Sequence, residues 1–346
     1  MLKQENFEMN HINALRLNSS SDPAILERAV YAFGLLESLV RVKMPFIFKG
    51  GTCLMLLLEK PRRLSTDIDI IVEPGVDISH YIQEAAKIFP FKEVEEQTRI
   101  GKNQIEKRHF KFYYDSPVKK KQFYILLDVL FEENHYNTLV KKKIVNEILL
   151  TEEPYNLVTV PSIDCILGDK LTAFAPHTTG IPFDVNKEME IIKQFFDVAA
   201  LIEECDNFQD IYESYMKTVE SEIAYRGNGS SAEEALQDTI RTASCIISRG
   251  NNQPEEYQKL MGGIKSIRTH IYRENYSGEI AAIQACSVIY MAACILKKHK
   301  FSRIDKPEEY IKDSIGKSKY KSLAYIKRLK LEAYGYLVEA VKLLEE

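Results

Sequence analysis

Long hydrophobic runs are missing from this 346-residue chain: no window approaches the about 18 consecutive apolar residues that would suggest a membrane span. The N-terminal stretch MLKQENFEMNHINALRLNSSSD lacks the apolar core of a secretory signal. A cytoplasmic protein is therefore the expectation. Glycine and proline are scarce, 15 and 12 residues, while 45% of the chain is apolar, which excludes both disorder and a collagen-like repeat. The cysteines at 53, 165, 205, 245, 286 and 294 form no CxxC pair and no His/Cys ligand cluster. Most have apolar neighbours, as in TCLMLLL and MAACIL, so they read as buried reduced thiols. No internal repeat is present.

What is there is ordinary in bulk and uneven in detail. The length is about that of two typical domains, each able to bury a core. The net charge is only −4, yet Lys297 to Lys330 holds twelve Lys/Arg against four Asp/Glu, and lysine triplets stand at 119–121 and 141–143. Those three places are suited to a polyanion. Asp22 and Pro23 read as the cap and first residue of a helix over 24–42, with Ile25, Val30, Phe33, Leu36 and Val40 on its buried face. A short strand in PFIFKGG, a buried helix in TCLMLLLEK and a strand in DIDIIV follow. Further on, a helix is expected over about 78–89, strands near 108–115 and 122–131 joined by a solvated SPVKKK tip, and a strand near 156–160.

From Ser162 the pattern is helical for nearly all that remains, with loops expected at 176–187, 226–231, 248–254 and 273–278. The expected class is α+β: a small mixed sheet flanked by helices over 1–160, then a mainly helical lobe over 161–346.

The informative chemistry lies in Lys49-Gly50-Gly51-Thr52 and Asp67-Ile68-Asp69. Aspartates at i and i+2 on a strand share a face, so their carboxylates can hold the same metal ions, and hard oxygens of this kind suit Mg²⁺. A double glycine between strand and helix exposes backbone N–H groups at a positive helix end, where phosphate is welcome, and Thr52 adds a hydroxyl. Isoleucines at 68, 70 and 71 bury the strand around the aspartates, which makes the charges costly unless something neutralises them. Asp128 in YILLDVLF is a single acid in an apolar strand, either hydrogen-bonded locally or a third metal carboxylate. Turn and acid pair together describe a nucleoside triphosphate site.

These residues resemble a family. KGGT followed by RRLSTDIDI is similar to the signature of the AbiEii/AbiGii-type nucleotidyltransferase toxins, a branch of the DNA polymerase β-like superfamily. VPSIDCILGDKLTAF resembles the third motif of that family, whose lysine would be Lys170, and KQFFDVAAL the fourth, whose aspartate would be Asp197. LLDVLF is similar to the strand that carries the third carboxylate, Asp128. Many members have an arginine seven residues after the motif-three lysine; here that position is His177, a residue charged only part of the time near neutral pH.

The resemblance implies nucleotidyl transfer from an NTP to an acceptor hydroxyl, with the nucleotidyltransferase fold in the first lobe and Lys170 and Asp197 contributed by the second. In that reading Asp67, Asp69 and Asp128 hold two Mg²⁺ ions, and Asp128 serves the acceptor hydroxyl. Gly50, Gly51 and Thr52 bind the β- and γ-phosphates, and Lys170 is a point charge on the triphosphate. Asp197 fixes Lys170 or contacts the nucleotide. Arg63 and Ser65 add phosphate contacts or orient Asp67, and Lys49 is structural or solvated. RNA, in particular a tRNA end, is the implied acceptor, in a toxin–antitoxin or phage-defence system with a cognate antitoxin. The alternative is a small-molecule nucleotidyltransferase acting on an antibiotic or metabolite, which would need a concave apolar acceptor pocket.

Overall fold

A computed structural model of the chain describes residues 1–19, 21–97, 106–227, 229–251 and 253–346. Two of the expected loops, 226–231 and 248–254, each include a residue outside that set, 228 and 252. The chain divides into two compact units, one of Met1–Ser162 with Thr269–Glu274, the other of Ile163–Arg268 with Asn275–Glu346. The segment 269–274 thus returns to the first unit from far along the sequence.

The first unit contains α1 (Met9–Leu17), α2 (Pro23–Arg41), β1 (Ile47–Lys49), α3 (Gly50–Leu57), β2 (Ile68–Val72), α4 (Ser79–Ala86), β3 (Glu93–Gln97), β4 (Lys107–Ser116), β5 (Lys121–Phe131), β6 (Leu139–Lys143) and β7 (Leu157–Pro161). Asp22 caps α2 by accepting from the Ala24 N–H at 2.7 Å, with Pro23 at the first helical position, as its sequence predicts. The five-stranded sheet runs β1-β2-β5-β4-β3, and within it only β2 and β5 are parallel; β6 and β7 form a separate ribbon. Helix α2 covers the apolar face, where Tyr31 stacks on Tyr114 at 3.9 Å between ring centres and Phe112, Ile125 and Leu127 are wholly buried. By strand alternation the neighbours Lys111, Leu126 and Asp128 turn to the opposite, half-exposed face.

The β4–β5 hairpin exposes Lys119, Lys120 and Lys121 as expected, but its turn is fastened rather than merely solvated. Buried Glu27 of α2 accepts hydrogen bonds from the Tyr114 hydroxyl (2.9 Å), the Ser116 hydroxyl (2.7 Å) and the Val118 N–H (2.8 Å). The same carboxylate and burial push the Tyr114 phenol pKa up, burial being the larger cause.

The second unit contains α5 (Ile163–Ala173), α6 (Glu188–Glu204), α7 (Phe208–Arg226), α8 (Ala232–Ile247), α9 (Pro254–Ile267), α10 (Gly278–Lys297) and α11 (Leu331–Glu345). Ser231 and Glu234 close a capping box on α8, and Ser277 caps α10. One expectation needs correction here. Residues 298–330 are not helical throughout: two short 3₁₀ turns, Pro307–Ile311 and Lys321–Arg328, lie among irregular backbone. Helix α10 is long and apolar enough by length and composition alone to cross a membrane, but 67% of its apolar window is buried in the structure. It packs between α8 and α11 in the manner of a core helix. All six cysteines are buried, and none forms a disulfide.

Candidate active site

Register across the sheet sets the site. Lys49 of β1 lies opposite Asp69 of β2, Asp69 beside Asp128 of β5, Asp128 opposite His109 of β4, and His109 opposite Gln97 of β3. Cross-strand partners share a face, so one polar row crosses all five strands with two carboxylates at its centre. Adjacent strands are about 4.8 Å apart, so Asp69 and Asp128 are close like charges that need compensation.

The glycine elbow stands directly against this pair. Gly50 has φ +82°, a left-handed conformation, and a Cβ there would lie 2.7 Å from the Asp69 carboxyl carbon. Glycine is required twice over, for its backbone and for the room it leaves. A Cβ on Gly51 would lie 2.7 Å from both the Arg63 guanidinium and the Ser65 hydroxyl. Gly50, Gly51, Arg63, Ser65 and Asp69 are therefore brought together. Gly50→Ala is expected to cost about 1–2 kcal/mol through the left-handed backbone alone. It should also displace the Asp69 carboxylate and remove most transfer activity, which thermal unfolding and a labelled-nucleotide assay would read separately.

Asp67 stands one residue before β2, where Arg28 of α2 donates to its Oδ1 at 3.0 Å. Thr52 is 0% exposed, and its hydroxyl donates to the Asp67 carbonyl at 2.6 Å. Its observed work is to fix Asp67, so a phosphate would have to be met by the neighbouring backbone rather than by this hydroxyl. Arg63, 7% exposed, is braced from behind: Leu64 N–H donates to the His270 carbonyl at 2.7 Å and Tyr272 N–H to the Arg62 carbonyl at 3.0 Å. This is how the segment 269–274 holds the loop between α3 and β2.

Compensation for the acids comes from residues that the sequence did not single out. His109 Nδ1 lies 2.5 Å from Asp128 Oδ1, and Arg28 both pairs with Asp67 and faces the Phe123 ring at 5.6 Å. Lys49 extends toward the Tyr136 ring, 5.8 Å from its centre. Carboxylate oxygens in adjacent register are the hard donors a divalent cation prefers. Among the described residues, however, no group of three His, Cys, Asp or Glu side chains is drawn together into a metal-holding set. Asp67 and Asp128 are turned onto Arg28 and His109, so a cation must compete for those oxygens. The donor types and the row fit such an ion; the rotamers shown are those of the acids on their protein partners.

In the second unit the third and fourth motifs meet. Lys170 of α5 is 9% exposed and lies 3.1 Å from Asp197 of α6, itself 2% exposed, and donates to Gln194 Oε1 at 2.9 Å. Of the two roles weighed for Asp197, fixing the lysine is the one that its geometry performs. His177 is held in its own polar cluster: its N–H donates to Asp238 at 2.7 Å, and its Nε2 lies 3.2 Å from Glu256. Desolvation raises the Asp238 pKa, against the hydrogen bonds it accepts from the His177 N–H, Thr178 and Thr242 and against the nearby imidazole. His177 is thus anchored by α8 and α9.

The fold is similar to two solved Helicobacter pylori structures. JHP933 is 15% identical over 79% of this chain and 93% of its own, with a TM-score of 0.42. A second protein, of proposed nucleotidyltransferase function, is 14% identical over 79% and 96%, with a TM-score of 0.44. No curated protein matches the chain. Residues 35–270, more than half of the sequence, match the family described as "Nucleotidyl transferase AbiEii toxin, Type IV TA system", and the chain belongs to that family of nucleotidyltransferase toxins.

Proposed function

We propose that this enzyme moves an NMP from an NTP to a hydroxyl on RNA, with a tRNA end as the acceptor, in the cytoplasm and as the toxin of a phage-defence or related toxin–antitoxin pair. The observation that carries the reading is the pairing of Asp69 with Asp128 in one row against the Gly50 elbow. Supporting the RNA acceptor are the fastened Lys119–Lys121 tip and the basic stretch 297–330.

Asp67, Asp69 and Asp128 would hold Mg²⁺, which when bound neutralises charge on the leaving pyrophosphate. The chain's own residues do the rest. Gly50 and Gly51 present backbone N–H groups at the start of α3 to the β- and γ-phosphates, and Arg63 and Ser65 line the same turn. Thr52 and Arg28 hold Asp67 from its carbonyl and its carboxylate. His109 orients Asp128, leaving that residue's second oxygen for the acceptor side. Lys170, seated on Asp197 and Gln194, keeps the role that its motif implies, a point charge for the triphosphate.

Incubation with each α-labelled NTP, Mg²⁺ and total RNA is expected to place label in RNA. Label in a small-molecule fraction with none in RNA would transfer the reading to antibiotic or metabolite modification. Omitting the metal should abolish incorporation.

A further inference from the structure

The helical unit carries a groove that the transfer chemistry does not use. It has a volume of about 1060 Å³ and lies between α8, the end of α10, the 3₁₀ turn at 321–328 and the end of α11. That is the top of the range for a small-molecule pocket, and the groove is open to solvent rather than enclosed. Ile240, Leu296 and Leu323 contribute apolar lining, and Tyr320 offers a half-buried ring.

Its charge is one-sided. Lys297 and Lys319 line it and are exposed, and both belong to the 297–330 stretch with its twelve basic and four acidic residues. Arg241 also lines it, but is paired with Glu256 at 2.8 Å. Glu233 is the one acidic lining residue among those described. The hydroxyl oxygen of Ser244 is buried in the lining and has no hydrogen-bond partner among the described residues, so it is a polar atom still owed one. Cationic rim, apolar floor, aromatic ring and spare hydroxyl together are the makings of a single-stranded nucleic-acid channel, in which phosphates meet lysines and unstacked bases meet rings and apolar side chains.

We infer that this groove binds a single-stranded RNA segment, its phosphates on Lys297 and Lys319 and a base on Tyr320. The inference rests on the RNA-acceptor reading and adds to it a place where the RNA is held. An acidic polypeptide would satisfy the lysines, one of which, Lys319, lies 5.2 Å from the centre of the Tyr320 ring, but leave the apolar lining without a specific use.

The test measures binding apart from transfer. Fluorescence anisotropy with a labelled mixed-sequence single-stranded RNA 12-mer is run on the full chain, on Lys297→Glu/Lys319→Glu, and on a control double variant, Lys306→Glu/Lys312→Glu, whose lysines are exposed and outside the groove. The groove variant should weaken binding on the order of tenfold or more at moderate salt and flatten the slope of log affinity against log salt by about 1.4, two single-strand phosphate contacts. The control should retain most of the affinity, and thermal unfolding should show both variants folded.

Equal affinity in the groove variant and the wild type overturns the inference. So does equal loss in the control, or displacement of the RNA at matched charge by a glutamate-rich peptide. If the wild type labels a small molecule instead of RNA while the groove variant still loses RNA binding, the acceptor reading fails and the groove stands. If RNA is labelled and bound equally by wild type and groove variant, the reverse holds.

Discussion

Asp69→Asn should lower Mg²⁺-dependent nucleotidyl transfer by roughly a thousandfold or more while leaving the fold intact. The amide has the shape of the carboxylate, so the close packing on Gly50 is kept and the row beside Asp128 loses one like charge. What disappears is the anionic oxygen that the proposed cation would need, an effect expected to be worth several kcal/mol of transition-state stabilisation, each 1.36 kcal/mol being about tenfold in rate. Asp67→Asn should fail for the same reason. It also weakens the ion pair with Arg28, but both side chains are partly exposed, so the stability change is about 1 kcal/mol at most. Circular dichroism and thermal unfolding establish the fold, and incorporation of labelled nucleotide reads the activity. Wild-type turnover in either variant would remove the carboxylates from the mechanism.

Much of this site can be read from residues alone because local chemistry dictates it. A double glycine after PFIF has few uses other than a tight strand-to-helix turn, and DIDI declares its alternation in four letters. Asp128 is conspicuous because YILLDVLF is otherwise apolar. Register is a different matter. That Asp69 is level with Asp128, and Asp128 with His109, follows from pairing between segments about 60 and 20 residues apart, which alternation within a strand cannot supply. Arg28 and His109 are inconspicuous in sequence for this reason, since each looks like an ordinary polar position on its own element.

The strands that the sequence conceals share a cause. EVEEQ offers one apolar residue in five, and LVKKK hides a ribbon strand behind its lysines, so neither shows the buried face that periodicity detects. Residues 298–330 mislead in the other direction: their apolar positions serve two short 3₁₀ turns packed on neighbouring helices, with no continuous helix behind the pattern. The brace at 269–274 is invisible in sequence because nothing local in THIYRE announces that it will bridge to Arg63.

Lys170→Ala should both abolish transfer and lower the melting temperature, and the two effects can be separated. Removing the ammonium takes the positive charge away from buried Asp197, a loss of about 3–5 kcal/mol for a pair this secluded. In a chain of this size that is a fall of about 4–7 °C. Lost activity in this variant alone would therefore prove little. Lys170→Met with Asp197→Leu replaces the pair by apolar groups of similar bulk, an exchange that is often neutral or stabilising. The double variant should regain most of the melting temperature and none of the activity, because an apolar pair packs without placing a positive charge on a triphosphate. Recovery of turnover together with stability would show that Lys170 and Asp197 serve the helical unit's core and take no part in transfer. Asp197→Asn completes the comparison: the cation remains, Gln194 still accepts from it, and partial activity is expected where Lys170→Ala has none.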